Sequence, residues 1–250
     1  MNLKTQKYGL YIATPLYSEE VNVAYMDSMI ILSKELQKAG IPSIRQHIMH
    51  TSLITKARNE CISNFMNNTN LDYFIFIDAD IGFKALDVIK LMNYDKPLVA
   101  ATYPKKSLGW EEIQKCLFND TPESSKELLQ KTSEYTVYEK ENARKCKDSG
   151  LLEVERVGTG FMMIKRDLIK KIAKKYPKLM YKENGKKGYG LFESAIIKKE
   201  HLSEDYAFCE RAKSVGEKVY IDPEIKLNHH GGNITFYGNY KKHLAYGNKK

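Results

Sequence analysis

Four short apolar runs recur along the first hundred residues, each bounded by Pro, Gly, Asp or a charged stretch: 8–13 (YGLYIA), 41–48, 72–77 (DYFIFI) and 97–101 (PLVAA). Between them lie segments with helical spacing. Residues 22–39 carry Val23, Met26, Met29, Ile30, Leu32 and Leu36 and close at Gly40; residues 51–66 carry Leu53, Ile54, Ala57, Cys61, Ile62 and Phe65; residues 84–91 follow the third run. A strand that is apolar at every position has to be covered on both faces. Such strands alternating with helices predict an α/β fold with a mostly parallel central sheet flanked by helices.

The rhythm breaks after Pro104. Residues 105–150 are polar and weakly periodic and read as a flexible flap or insertion carrying marginal helix. Apolar runs resume at 151–157 and 160–164 (GFMMI), followed by a Lys-rich helix over 166–176 and a loop over 177–190. Residues 203–215 predict a helix with Ser203 as N-cap, and 218–221 and 224–228 predict short strands around Asp222-Pro223. The tail after Gly231 carries no assignable pattern. With no internal repeat and no linker, residues 1–250 read as one domain.

A chain of 250 residues, 42% hydrophobic and 28% charged, buries enough core to fold without a staple and is too apolar for disorder. No run approaches the roughly 18 apolar residues of a membrane span, and the first residues lack the apolar stretch of a signal peptide. A cytoplasmic protein is therefore expected. The cysteines at 61, 116, 146 and 209 form no CxxC pair and read as reduced structural thiols. The net charge of +9 favours anionic partners. Ten basic residues fall between Lys165 and Lys187, which reads first as a solvated face. No helix-turn-helix, zinc-finger or RNP signature accompanies the charge, so nucleic acid is not an expected partner.

Asp78-Ala79-Asp80 directly follows YFIFI. Eleven Asp in 250 residues give about half a DxD by chance, so the pattern gains weight only from its position. Carboxylates at i and i+2 beyond a fully apolar strand stand at the carboxyl edge of a sheet, where open α/β folds bind ligands. Two carboxylates there suit a hard divalent cation that also holds phosphates; the competing reading is a helix cap plus a solvated Asp. Glu204-Asp205 opens the SEDYAFCERA helix, where the helix dipole alone favours acids. His229-His230 precedes Gly231-Gly232. Adjacent histidines on a strand point to opposite faces, so at most one ligates a metal, and a structural role is open for both.

In this order, the strand ending at TPLY, the ARN helix, the DAD, GTGFMMIKR, SEDYAFCERAKSVG and DPEIKLNHHG resemble a glycosyltransferase of the GT-A fold. The likeness is to the family-2-like and Anp1-like group, including members from large DNA viruses and phages. The resemblance implies a Rossmann-like sheet, a nucleotide-sugar donor (UDP-linked), Mn²⁺ or Mg²⁺, and a glycan or glycoprotein acceptor, in viral or host cytoplasm. Residues 1–104 would be the nucleotide half and 151–250 the acceptor and metal half. Thr14 and Pro15 match the loop that meets the base, and Arg58 a basic residue that reaches the nucleotide. Asp78 matches the carboxylate near ribose and donor sugar, and Asp80 the one that binds the metal. Gly160 matches a close backbone approach to the donor sugar. Glu204 would orient donor or acceptor hydroxyls. Asp205 matches the general base of inverting members, and His229 the late metal ligand.

Other chemistries fit less well. A phosphatase of the haloacid dehalogenase type wants DxDx[TV] near the N-terminus, whereas Ile81-Gly82-Phe83 follows here at position 81. A sugar nucleotidyltransferase wants a Gly-rich phosphate loop after its first strand, and TPLYSEE has no Gly. GTGFMM lacks the third Gly of a dinucleotide fingerprint.

Overall fold

The computed structural model describes residues 8–17, 19–49, 51–140, 146, 149–183 and 185–247. Strands β1 (Leu10–Pro15), β2 (Ser43–Ile48) and β3 (Tyr73–Ile77) run parallel with β1 in the middle, linked by helices α1 (Val23–Lys38) and α2 (Ile54–Asn68). A two-residue strand, β4 (Ile81–Gly82), precedes α3 (Ala85–Asn93) and β5 (Leu98–Ala100). Then come α4 (Trp110–Asn119), α5 (Ser125–Thr132), β6 (Val137–Glu139), β7 (Leu152–Val157), β8 (Phe161–Lys165) and α6 (Arg166–Lys175). Two hairpins follow, β9 (Met180–Glu183) with β10 (Lys186–Tyr189) and β11 (Ala195–Ile197) with β12 (Glu200–Leu202). The described chain ends with α7 (Glu204–Ser214), β13 (Val219–Ile221), β14 (Asn228–Gly231), β15 (Ile234–Tyr237) and α8 (Tyr240–Gly247).

Eight strands form one sheet in the order β2-β1-β3-β8-β5-β13-β7-β6. Its pairings are mixed: β1–β2, β1–β3 and β5–β13 are parallel, while β8 runs against both β3 and β5, and β7 against both β13 and β6. The expectation of a mostly parallel sheet is thus met by the β1–β2–β3 and β5–β13 blocks and not by the strands around GFMMI. An all-apolar run records burial on two faces, not direction, so GFMMI could not reveal its antiparallel pairing.

The alternation within each strand sorts its side chains between two cores. Phe74 and Phe76 of β3 and Met162 and Ile164 of β8 pack against α2, α6 and α7, through Phe65, Ile172 and Phe208 among others. Ile75, Ile77, Phe161 and Met163 face α1 and α3, through Met29, Leu32, Val88 and Leu91. Burial on both faces is what makes YFIFI apolar throughout. The α1 stripe is divided: Met29, Leu32 and Leu36 are buried, whereas Val23, Met26 and Ile30 are exposed. Cys61, Cys116, Cys146 and Cys209 form no disulfide among the described residues, and the first two and the last are buried.

Three segments depart from the sequence reading. Residues 105–140 carry the two regular helices α4 and α5, where only marginal helix is expected, and the unexpected strand β6; residues 141–145 and 147–148 of the expected insertion lie outside the described residues. The expected loop over 177–190 is a 3-10 turn and the β9–β10 hairpin. Gly185 has φ +76° in that hairpin, and Gly188 pairs with Tyr181, whose ring fills the space a side chain would need. The strand expected at 224–228 begins instead at Asn228 and pairs with β4 and β15, while the unassigned tail supplies β15 and α8. No helix among the described residues is long and apolar enough to cross a membrane.

Candidate active site

The carboxyl end of β3 is where the singled-out residues meet. Register places Ile77 opposite Phe161, and the Asp78 N–H donates to the Gly160 carbonyl at 2.9 Å. A turn then forms, with the Ile81 N–H donating to the Asp78 carbonyl at 3.1 Å. It is pinned from two sides: the Asn22 N–H donates to the Ala79 carbonyl, and the His230 N–H to the Asp80 carbonyl, each at 2.9 Å. β14 pairs with β4 so that His229 stands opposite Ile81. This small second sheet, β15-β14-β4, carries the late histidines to the DAD turn across about 150 residues of chain.

Two polar clusters result. In the first, Arg58 of α2 lies 4% exposed beneath the turn. Its Nη2 donates to both Asp78 oxygens at 3.2 and 3.1 Å, and its Nε to Glu204 Oε1 at 3.4 Å. The guanidinium also lies over the Phe76 ring, 4.9 Å from its centroid. Burial alone would loosen its proton, but Asp78 and Glu204 more than offset this and hold it charged. Burial, and next the Asp205 charge, raise the Glu204 carboxyl above its ordinary range. Arg58 Nη1 is buried with no hydrogen-bond partner among the described residues, a donor that costs stability unless something meets it.

In the second cluster, His229 Nδ1 lies 2.8 Å from the Pro104 carbonyl. A carbonyl only accepts, so Nδ1 carries the proton. His229 Nε2 faces Asp80 Oδ1 at 3.5 Å. Lys106 makes an ion pair with Asp80 Oδ2. Burial pushes the Asp80 carboxyl up, but His229, when its Nε2 is also protonated, and Lys106 outweigh it and hold the group at about 2. His230 points elsewhere: its Nδ1 meets the Thr235 hydroxyl at 3.2 Å and its Nε2 is buried against Gly82. Among the described residues no group of three or more His, Cys, Asp or Glu side chains is arranged to hold a metal ion.

Tyr103 links the clusters. Its hydroxyl accepts the Gly160 N–H at 2.9 Å, and its ring packs edge-on to His229 at 5.1 Å between centroids. A Cβ on Gly160 would stand 2.6 Å from that ring, so Tyr103 already fills the space that makes this residue a glycine. Burial first, and then the Asp78 charge, raise the Tyr103 hydroxyl, which stays protonated. Asp205 sits beside Glu204 in the first turn of α7, and its Oδ1 accepts the Tyr206 N–H at 2.8 Å and the Ser203 hydroxyl. Ser203 therefore occupies the N-cap position without capping, because its hydroxyl is spent on Asp205. Thr14 and Pro15 end β1 inside the sheet rather than in a loop, and the Thr14 hydroxyl is 2.6 Å from that of Tyr25.

Tyr103, Lys106 and Tyr25 escape the sequence reading. The one local signal is the pair Lys105-Lys106 just beyond a strand end, at the edge where ligands bind.

No protein-family model and no curated protein matches this chain. Solved structures do, 28 chains in all. Among them is A197 from STIV, at 17% identity over 92% of this chain and 94% of that chain, with a TM-score of 0.52. That identity supports a shared fold and nothing finer. The chain is a mixed α/β protein built on one large sheet, in keeping with a Rossmann-like architecture.

Proposed function

We propose that the protein is a GT-A-type glycosyltransferase that moves a sugar from a nucleoside-diphosphate donor, UDP-linked in the first instance, to an acceptor hydroxyl. The observation that carries this reading is the His229–Asp80 pair. An imidazole with its Nδ1 proton fixed on a backbone carbonyl presents Nε2 as a lone-pair donor, the usual arrangement behind a metal-ligating histidine. Opposite it stands a carboxylate that also pairs with the Lys106 ammonium. One carboxylate and one imidazole fit Mn²⁺ or Mg²⁺, whose remaining positions are commonly filled by phosphate oxygens and water. A cation held by Asp80 and His229 would supply positive charge to the diphosphate leaving group.

The chain's own residues supply the rest. Lys106 adds a second positive charge beside Asp80 for the diphosphate. Asp78 faces the ribose and donor sugar, oriented by Arg58, and the unpartnered Arg58 Nη1 is a donor available to a ligand oxygen. Glu204, held by the same guanidinium, orients sugar hydroxyls. Gly160 and Tyr103 form the backbone floor under the donor. A groove of about 320 Å³ lies against the ends of β1 and β2, lined by Leu16, Tyr25, Met29 and Met49 among others, and suits the base beside Thr14 and Pro15. Asp205 takes the acceptor proton through Oδ2, which the Ser203 and Tyr206 bonds leave uninvolved, and attack from the face opposite the diphosphate inverts the sugar.

Thermal unfolding with UDP, GDP, CDP, dTDP and their sugars, with and without Mn²⁺, tests the reading. A ligand at 100 times its Kd stabilises by about 2.7 kcal/mol, which at about 2–4 °C per kcal/mol for this size is a shift of roughly 5–11 °C. The expected result is a shift that needs metal and nucleotide together, is lost in Asp80→Ala and His229→Ala, and survives in His230→Ala. No shift with any nucleotide rejects the proposal.

A further inference from the structure

A second cavity, of about 380 Å³, opens where the 105–140 segment meets the start of α7 and the α8 helix. Five rings line it: Tyr135, Tyr138, Tyr206, His243 and Tyr246. Its size falls in the range of small-molecule sites, about 300–1,000 Å³. Tyr138 is 56% exposed yet held in place, edge-on to Tyr206 at 5.3 Å. The Arg156 guanidinium lies over the Tyr138 ring, 5.9 Å from its centroid, and the ring's remaining exposed area is a platform for stacking, because a tyrosine is apolar on its faces and polar at its tip.

The charges at the rim are satisfied. Lys105 pairs with Glu134 at 2.8 Å, Lys131 with Asp120 at 2.7 Å and Glu127 at 3.3 Å, and Glu112 with Lys115 at 3.0 Å. In a chain of net charge +9, a cavity whose lysines are all committed to carboxylates is a poor seat for a phosphate or an acidic peptide. It suits a neutral ligand with apolar faces and many hydroxyls. The wall adds Ser133, 2% exposed, whose hydroxyl has no partner among the described residues.

The cavity is also tied to the proposed active site. The segment 134–136 that leads into it pairs with the segment carrying Tyr103, through the Lys105 N–H to the Glu134 carbonyl at 2.8 Å and the Thr136 N–H to the Tyr103 carbonyl at 3.1 Å. Tyr206 directly follows Asp205 on α7. We propose that this cavity seats an uncharged pyranose of the acceptor, stacked on Tyr138 and Tyr206, which places one of its hydroxyls, or that of the next sugar, toward Asp205. The inference rests on the glycosyltransferase reading for the word acceptor, but not for the sugar itself.

Saturation-transfer NMR with maltotriose, cellotriose, mannotriose and triacetylchitotriose separates the two. At least one trisaccharide should show transfer to its ring C–H protons without any nucleotide. The signal should fall at least tenfold in Tyr138→Ala, a surface change, and persist in Tyr138→Phe, which keeps the ring. Sugar binding that persists in Tyr138→Ala overturns the site. So does the absence of binding to all four sugars in a protein that UDP and Mn²⁺ still stabilise, a result that leaves the enzyme reading intact. Tyr138-dependent sugar binding without any nucleotide effect upholds the cavity and rejects the transferase.

Discussion

Replacing Arg58 with Met should destabilise the fold by about 3 kcal/mol at neutral pH, and by less in mild acid. Methionine matches the length of the stem and keeps the contact with Phe76, so the loss is electrostatic. Asp78 and Glu204 are only 25% and 14% exposed, and without the guanidinium each becomes a poorly solvated charge facing another. The figure stands at the low end for a broken buried pair because Asp78 retains some water.

The pH dependence follows from Glu204. Burial, and then Asp205, raise its folded-state pKa above the ordinary 4.5, while Arg58 opposes the rise. Between the unfolded value and the raised folded value the folded chain binds more protons than the unfolded one, so stability falls as pH climbs through that window. Removing Arg58 carries the folded value higher and widens the window upward. The variant's deficit should therefore be larger at pH 8 than at pH 5, read from urea unfolding at both. Equal deficits at the two pH values would show that packing, not charge, is what Arg58 supplies.

How much of this was legible depends on whether a feature is local. The YFIFI strand, the DAD at its end and the acid pair opening a helix are written in contiguous residues, and the structure has each where the sequence indicates. Arg58 could be flagged as basic, but not as the cation shared by Asp78 and Glu204, because its partners stand 20 and 146 positions away. Lys106 reaches Asp80 only because β14 and the 104–106 segment converge on the DAD turn, and register of that kind leaves no periodic trace. The helices α4 and α5 could be read only as marginal helix without bounds, for a different reason. The only side chain α4 buries is Cys116, while Leu117 and Phe118 are left exposed; α5 buries Gln130 and Thr132. Without an apolar stripe a helix has no hydrophobic period to read. The β9–β10 hairpin is similarly masked, since its strands are mostly exposed lysine, glutamate and tyrosine.

Asp205→Asn should lower glycosyl transfer by about 10²-fold or more while leaving donor and metal binding near wild type. The amide is nearly isosteric, and its oxygen can still accept from the Tyr206 N–H and the Ser203 hydroxyl, so the start of α7 is preserved. What disappears is the lone pair that takes a proton. Glu204 differs in kind, although it is the next residue. Successive helical positions point about 100° apart, and Glu204 turns inward to the buried guanidinium. Glu204→Gln weakens that contact, so it should raise KM for donor or acceptor at least as much as it lowers kcat. The measurement is transfer to an acceptor with the donor saturating, because hydrolysis of the donor by water does not need the same base. A fully active Asp205→Asn enzyme would remove Asp205 as the base, and with it the reason to expect inversion at the sugar carbon. A Glu204→Gln enzyme that loses kcat alone would move the base by one residue, onto the carboxyl whose proton affinity is already raised.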